Sequence, residues 1–134
     1  MPTNLNTEIA IAYAWTFIGK WYKWAGDDPS GFDCSGFIVE VLKSIGKVQR
    51  NADHTAKQLF DMFPKVQNPS RGCLVFWHDG NKNICHVELM ITDKLSIGAS
   101  GGGSKTLTEQ DAIRDNAFIK IRLCSFDFLG VHIL

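Results

Sequence analysis

An excess of charge of either sign is missing from this chain of 134 residues: 14 Lys and Arg stand against 14 Asp and Glu, for a formal net charge of +0. With no basic footprint, nucleic acid is not an expected partner. Long apolar runs are also missing, and no stretch approaches the length of a membrane span, so membrane insertion is not expected. The start, Met1 to Glu8, is polar and holds no Lys or Arg. The apolar run behind it, Ile9 to Ile18, is too short and too aromatic at its end for a secretion signal. The chain therefore reads as one made in the cytoplasm without a signal peptide, unless it was cut from a larger one. Cysteine is sparse. Cys34, Cys73, Cys85 and Cys124 form no C-x-x-C pair, which argues against a zinc site or a disulfide frame and for reduced thiols. No metal or other cofactor is expected. No repeat, linker or low-complexity segment divides the chain, so a single domain over 1–134 is expected. What remains, 45% hydrophobic and 21% charged residues, is an ordinary globular composition.

The elements fall in two groups. Asn6 or Thr7 can cap a first helix running to about Ile18, with Gly19 as its stop. Its apolar face (Ile9, Ile11, Ala12, Ala14, Trp15, Ile18) is wide enough to predict that most of it is buried. A loop from Lys20 to Ser30 carries Trp21, Tyr22 and Trp24, which either roof the core or line a cleft. Asp33 caps a second helix with Phe37, Ile38, Val41, Leu42 and Ile45 at helical spacing. Asp53 opens a third, ended by Pro64, with His54 as an exposed residue of its first turn. The period then changes to that of strands: Leu74–Trp77, Ile84–Ile91 and Leu95–Ser100, the last two joined by a hairpin at Thr92-Asp93-Lys94. Thr108-Glu109-Gln110-Asp111 reads as a capping box, and Phe118–Leu123 as another strand. The tail from Ser125 to Leu134 is apolar and has no clear period. Helices first and an antiparallel sheet second define an α+β domain.

Cys34 stands in the first turn of the second helix, where unpaired backbone N–H groups and the helix dipole favour an anion. A thiol held there ionises more readily, and the thiolate is the nucleophile. A lone cysteine is more often a small buried apolar residue, but its neighbours Asp33, Ser35 and Gly36 argue for chemistry. Gly36 would let another backbone or a substrate come close. A thiolate needs a base near neutral pH, and histidine suits that task. Of His54, His78, His86 and His132, only His86 stands on a strand among polar and apolar residues in alternation, with Glu88 and Met90 on its face. Cys34 and His86 are the candidate pair.

These residues also carry a resemblance. Tyr22-Lys23-Trp24-Ala25-Gly26, Asp33-Cys34-Ser35-Gly36, Gly72-Cys73-Leu74-Val75-Phe76-Trp77, His86-Val87 and Ile97-Gly98-Ala99-Ser100, in order, resemble motifs of the NlpC family of papain-like cell-wall cysteine peptidases. The resemblance spans about Ile9 to Ile121. It implies a papain-like fold with the nucleophile at a helix start. It also implies Cys34 as nucleophile, His86 as base and then acid, and the Tyr22 hydroxyl with the backbone N–H of Cys34 as oxyanion donors. Asp33 and Ser35 would hold the free amine of a stem peptide, and Trp24 would line the substrate site. The implied substrate is the bond between D-glutamate and a diamino acid in peptidoglycan. The lack of a secretion signal and of a separate wall-binding domain resembles phage or prophage lysis enzymes, which leave through a partner pore, and fits a tail-borne enzyme equally well; a monomer is expected.

One position departs from the family. Where the third catalytic residue usually stands this chain has Gly98, expected roughly opposite His86, with Glu88, Ser96 and Ser100 as polar alternatives for orienting the base. Three other readings compete. The run from Gly98 to Thr106 suggests a phosphate loop, but Ser104 separates the last glycine from Lys105 and the helix signal comes only at Thr108. A wall-binding module decayed at Gly98 keeps the fold without the activity. An amidase or acyltransferase keeps the thiol chemistry on another amide or a lipid.

Overall fold

The computed structural model describes residues 4–24, 26–28, 31–103, 105–124 and 129–132. Among these residues four helices and two antiparallel sheets follow in order: α1 (Leu5–Trp15), β1 (Asp27–Asp28), β2 (Gly31–Phe32), α2 (Cys34–Ser44), α3 (Ala56–Met62), β3 (Lys65–Val66), β4 (Cys73–His78), β5 (Ile84–Met90), β6 (Leu95–Ser100), α4 (Glu109–Asp115), β7 (Phe118–Leu123) and β8 (Leu129–His132). Strands β1 and β2 make a small hairpin sheet, and the main sheet has the order β3-β8-β4-β5-β6-β7. The class is α+β, as expected. No described helix is long and apolar enough to cross a membrane.

Helix α2 holds this fold against the sheet. Phe37, Ile38, Val39, Val41 and Leu42 are each at most 1% exposed, and burying such a side chain contributes about 1.5–3 kcal/mol. Across from them the core is filled by Leu74, Phe76, Val87, Leu89 and Ile97. The start of α2 is fixed from the other side by a chain of edge-to-face rings: Tyr13 on Phe17, Phe17 on Phe32 and Phe37. Phe32 is fully buried one residue before the Asp33 cap, so the position of the first helical turn is set by core packing.

Several boundaries differ from the sequence reading. Asn4, not Asn6 or Thr7, caps α1, accepting from the N–H groups of Asn6 and Thr7, and the helix ends at Trp15. Its apolar face is narrower than expected: Ala10, Ile11 and Ala14 are buried, whereas Ile9, Trp15 and Ile18 are exposed. Only one stripe of α1 meets α2. Thr55, not Asp53, caps α3, because Gln58 three residues on closes a capping box with it. The expected box at Thr108 and Asp111 is present. The tail that showed no period contains β8, which inserts between β3 and β4 with Val131 opposite both Lys65 and Leu74.

Candidate active site

The loop between α1 and α2 wraps the candidate nucleophile, Cys34. Lys23 N–H donates to the Phe32 carbonyl at 2.9 Å, and Asp33 N–H to the Gly26 carbonyl at 2.9 Å. That carbonyl lies where a side chain on residue 36 would have to be, so Gly36 admits a close backbone, as expected. The two readings of the loop aromatics both apply, to different residues. Tyr22 is 5% exposed and packs in the core, while Trp24 is 46% exposed at the rim. Both line a cleft of about 310 Å³ whose floor is Cys34, with Asp33, Ser35, Thr55 and Ile84 around it. Asp33 Oδ1 accepts from Gly36 N–H at 2.6 Å, and the Ser35 hydroxyl lies 3.3 Å from the same oxygen. Burial first, then the neighbouring Cys34 and Asp33, push the Tyr22 phenol well above its ordinary range. The phenol is therefore held in the protonated form beside the cleft that Tyr22 helps to line.

The sheet supplies the candidate base, His86. Cys34 Sγ sits 4.0 Å from the carbonyl oxygen of Cys85, the residue before His86, and lies close enough to the His86 ring to influence its charge. The other side of that ring is held by Glu88: Nε2 lies 2.6 Å from Oε2. With Nε2 so engaged, Nδ1 is the nitrogen left to face the thiol. Burial works against a charge on His86, but the hydrogen bonds to Cys34 and Glu88 outweigh it, and the imidazole is pushed up to about 9. Among the other histidines, His54 edges a neighbouring hollow, His78 lies 3.1 Å from the Asp79 carbonyl, and His132 belongs to β8.

The expected vacancy at Gly98 is filled from the neighbouring strand. The β5–β6 register pairs Leu89 with Ile97 and Met90 with Ser96. Continued by one pair, it sets Gly98 opposite Glu88, not opposite His86 as the sequence suggested. A side chain at 98 would collide with Cγ and Cδ of Glu88, whose carboxylate occupies that space. Glu88 meets the His86 ring directly. Of the alternatives, Ser96 reaches Glu88 instead of the ring, its hydroxyl donating to Oε1 at 2.6 Å. The Ser100 hydroxyl is buried without a hydrogen-bond partner among the described residues.

Glu88 is fully buried. An unpaired carboxylate there would cost several kcal/mol. It is paired twice: with His86, and with Arg122, whose Nε lies 3.0 Å from Oε2 and whose second guanidinium contact is at 2.8 Å. Burial raises the Glu88 carboxyl, but His86, Arg122 and Ser96 together hold it below the usual range. Arg122 stacks on Trp77, its guanidinium carbon 5.0 Å from the ring centre, and Trp77 also lies 5.4 Å from the His86 ring. The sequence reading missed Arg122. The one signal was the alternation of β7, which sets Lys120 and Arg122 on the face opposite Ile119 and Ile121. The reach to Glu88 depends on a register two strands away. Among the described residues no cluster of His, Cys, Asp and Glu is arranged to hold a metal.

A helix-borne thiol facing a strand-borne imidazole, on helices packed against an antiparallel sheet, is the arrangement of a papain-like fold. A family model described as the NlpC/P60 family matches residues 19–122, and the chain belongs to that family. It is similar to the probable peptidoglycan endopeptidase LytE of Bacillus subtilis strain 168, with 35% identity over 101 residues, which are 75% of this chain and 29% of that protein. It is also similar to the gamma-D-glutamyl-L-lysine dipeptidyl-peptidase of the same organism, with 29% identity over 113 residues, 81% of this chain and 38% of that one. The chain thus spans less than half the length of these relatives. Among solved structures, the NlpC/p60 domain of the peptidoglycan hydrolase SagA has the same fold, with a TM-score of 0.71 at 24% identity, covering 95% of this chain and 98% of that one.

Proposed function

We propose that the chain is a cysteine peptidase that hydrolyses an amide bond in the stem peptides of bacterial peptidoglycan, with residues 1–134 as one catalytic domain. The observation that carries this reading is the line from Cys34, which lines a cleft, to His86 to the buried Glu88, closed at 2.6 Å between ring and carboxylate. Cys34 passes its proton to His86, and the thiolate attacks the amide carbonyl carbon. The Tyr22 hydroxyl and the Cys34 backbone N–H receive the charge that develops on the carbonyl oxygen, the contribution that is usually largest in such sites. The C–N bond then breaks, His86 gives its proton to the leaving amine, and a thioester remains on Cys34. Water attacks the thioester, His86 takes the water's proton, and the carboxylic acid leaves with the thiol restored. Glu88 orients His86 throughout.

Asp33 and Ser35, one residue either side of the nucleophile, are the amine-binding pair in this reading, and Trp24 is the apolar wall of the cleft. The finer assignment of the bond, between D-glutamate and a diamino acid, is supported by family membership and by the name of the Bacillus dipeptidyl-peptidase relative. The setting in a phage or prophage, in lysis or on a tail particle, rests on the sequence reading alone, as does a monomeric state.

Digestion of purified wall, read by mass spectrometry, is the test. New amine and carboxyl ends at one stem-peptide bond are expected, no product from Cys34→Ala, and most of the activity from Cys73→Ala. Wall binding without products would make the chain a binding module. Products retained by Cys34→Ala would sink the reading.

A further inference from the structure

Among the described residues, the side-chain partners of Glu88 apart from His86 come from outside its own strand, and one of them is a permanent cation. Ser96 Oγ reaches Oε1 from β6, and Arg122 reaches both carboxylate oxygens from β7 at 3.0–3.2 Å through Nε. Gly98 leaves the corridor between them open, and Trp77 on β4 backs the guanidinium at 5.0 Å. We propose that Arg122 is a positioning residue that fixes Glu88 as a carboxylate, so that His86 keeps one orientation and one tautomer while its proton comes and goes. The proposal rests on the reading in which His86 is the base for Cys34.

The argument follows the proton. In each turnover His86 is charged, then neutral. When it is charged, Glu88 has a cation on either side. When it is neutral, Glu88 is a fully buried carboxylate with a hydroxyl and Arg122 as its remaining partners. With the guanidinium in place the carboxylate stays ionised. The neutral ring then keeps its hydrogen on Nε2, donated to Glu88, and Nδ1 presents a lone pair to Cys34 or to water. Without the guanidinium, burial drives a proton onto Glu88. The acid would donate to Nε2, the ring hydrogen would move to Nδ1, and the nitrogen facing the sulfur would have no lone pair to act as a base. Arg122 therefore decides which nitrogen does the chemistry, although it touches neither substrate nor thiol.

The ionisable groups around the ring are few. Cys34 faces it from α2, with Asp33 and Tyr22 behind the thiol, and Glu88 from its own strand. Arg122 approaches through Glu88, and Cys124, just beyond β7, feels both. Trp77 is the neighbour from β4 and carries no charge.

The test is a ring-nitrogen NMR titration of His86 in the full chain with Cys34→Ala, the signal assigned by its loss in His86→Gln. It needs no substrate, so a failure of the peptidase reading in the wall digest stays separate from a failure here. In Arg122→Gln the last proton should leave the His86–Glu88 pair at a pH about one unit higher, since a cation near the pair has been removed. The neutral ring should also shift toward the Nδ1–H form. Arg122→Lys should return both readouts toward the parent, and Glu88→Gln should move the titration the other way. Arg122→Met, which keeps the packed stem, must give the same rise, and it serves alone if Arg122→Gln does not fold. An unmoved titration with the Nε2–H form retained would overturn the proposal, and so would a fall like that of Glu88→Gln.

Discussion

Tyr22 owes its position to a residue that has no side chain. Gly102 lies flat against the tyrosine ring, and a methyl group there would run into Cγ, Cδ1 and Cε1. The glycine run after β6, which invites a phosphate-loop reading, thus has a packing reason at its second member. Two substitutions test the same hydroxyl from different sides. In the proposed mechanism Tyr22→Phe removes a donor to an oxyanion that exists only beyond the ground state, so kcat should fall by roughly 10²–10³ while KM changes little. Gly102→Ala keeps the hydroxyl but pushes the ring, and should also lower kcat with KM nearly unchanged. Steady-state kinetics on a soluble muropeptide measure both. A loss confined to KM in Tyr22→Phe would make the tyrosine a binding residue.

At the scale of elements, the site is shared between strands in an uncommon way. The carboxylate on β5 uses the space that a side chain on β6 would fill, so the two positions exclude one another. Gly98→His should therefore not restore a family-like site. It should displace Glu88, lower kcat by an order of magnitude or more, and reduce stability through overpacking. Gly98→His combined with Glu88→Ala should recover part of both, and equal loss in single and double variants would count against the exclusion. How much of this was legible in the sequence depends on the range of each interaction. The Asp33 cap, the start of α2 and the strand bearing His86 all follow from local spacing, and they were read correctly. Glu88 was visible as a neighbour on the His86 face, though not as the occupant of the Gly98 space. That follows from a β5–β6 register that sets Gly98 opposite Glu88 and not, two residues back, opposite His86. Arg122 and β8 act wholly across the sheet, where periodicity carries no information about which strand lies beside which.

At the scale of the molecule, the buried charges tie stability to pH. The His86 imidazole is raised from 6.5 to about 9 on folding. Its contribution is complete below 6.5 and is lost as pH rises through about 9. Glu88 is lowered from 4.5, so its contribution is present above 4.5 and lost as pH falls below it. The melting temperature should be highest between these values and fall on both sides, and Glu88→Gln should flatten the alkaline fall. Melting curves across pH measure this, and an alkaline slope unchanged in Glu88→Gln would refute the link. The inserted strand β8 has a consequence of another kind, in time. During synthesis β4 is made long before its partner on that side, since Leu74 must wait for Val131. Until then one edge of the main sheet stands open and can pair with a strand of another molecule. The slow step of maturation should be the late closure of this gap, a long-range pairing that costs loop entropy before it returns any contact. The nascent chain is therefore most exposed to association just before β8 emerges.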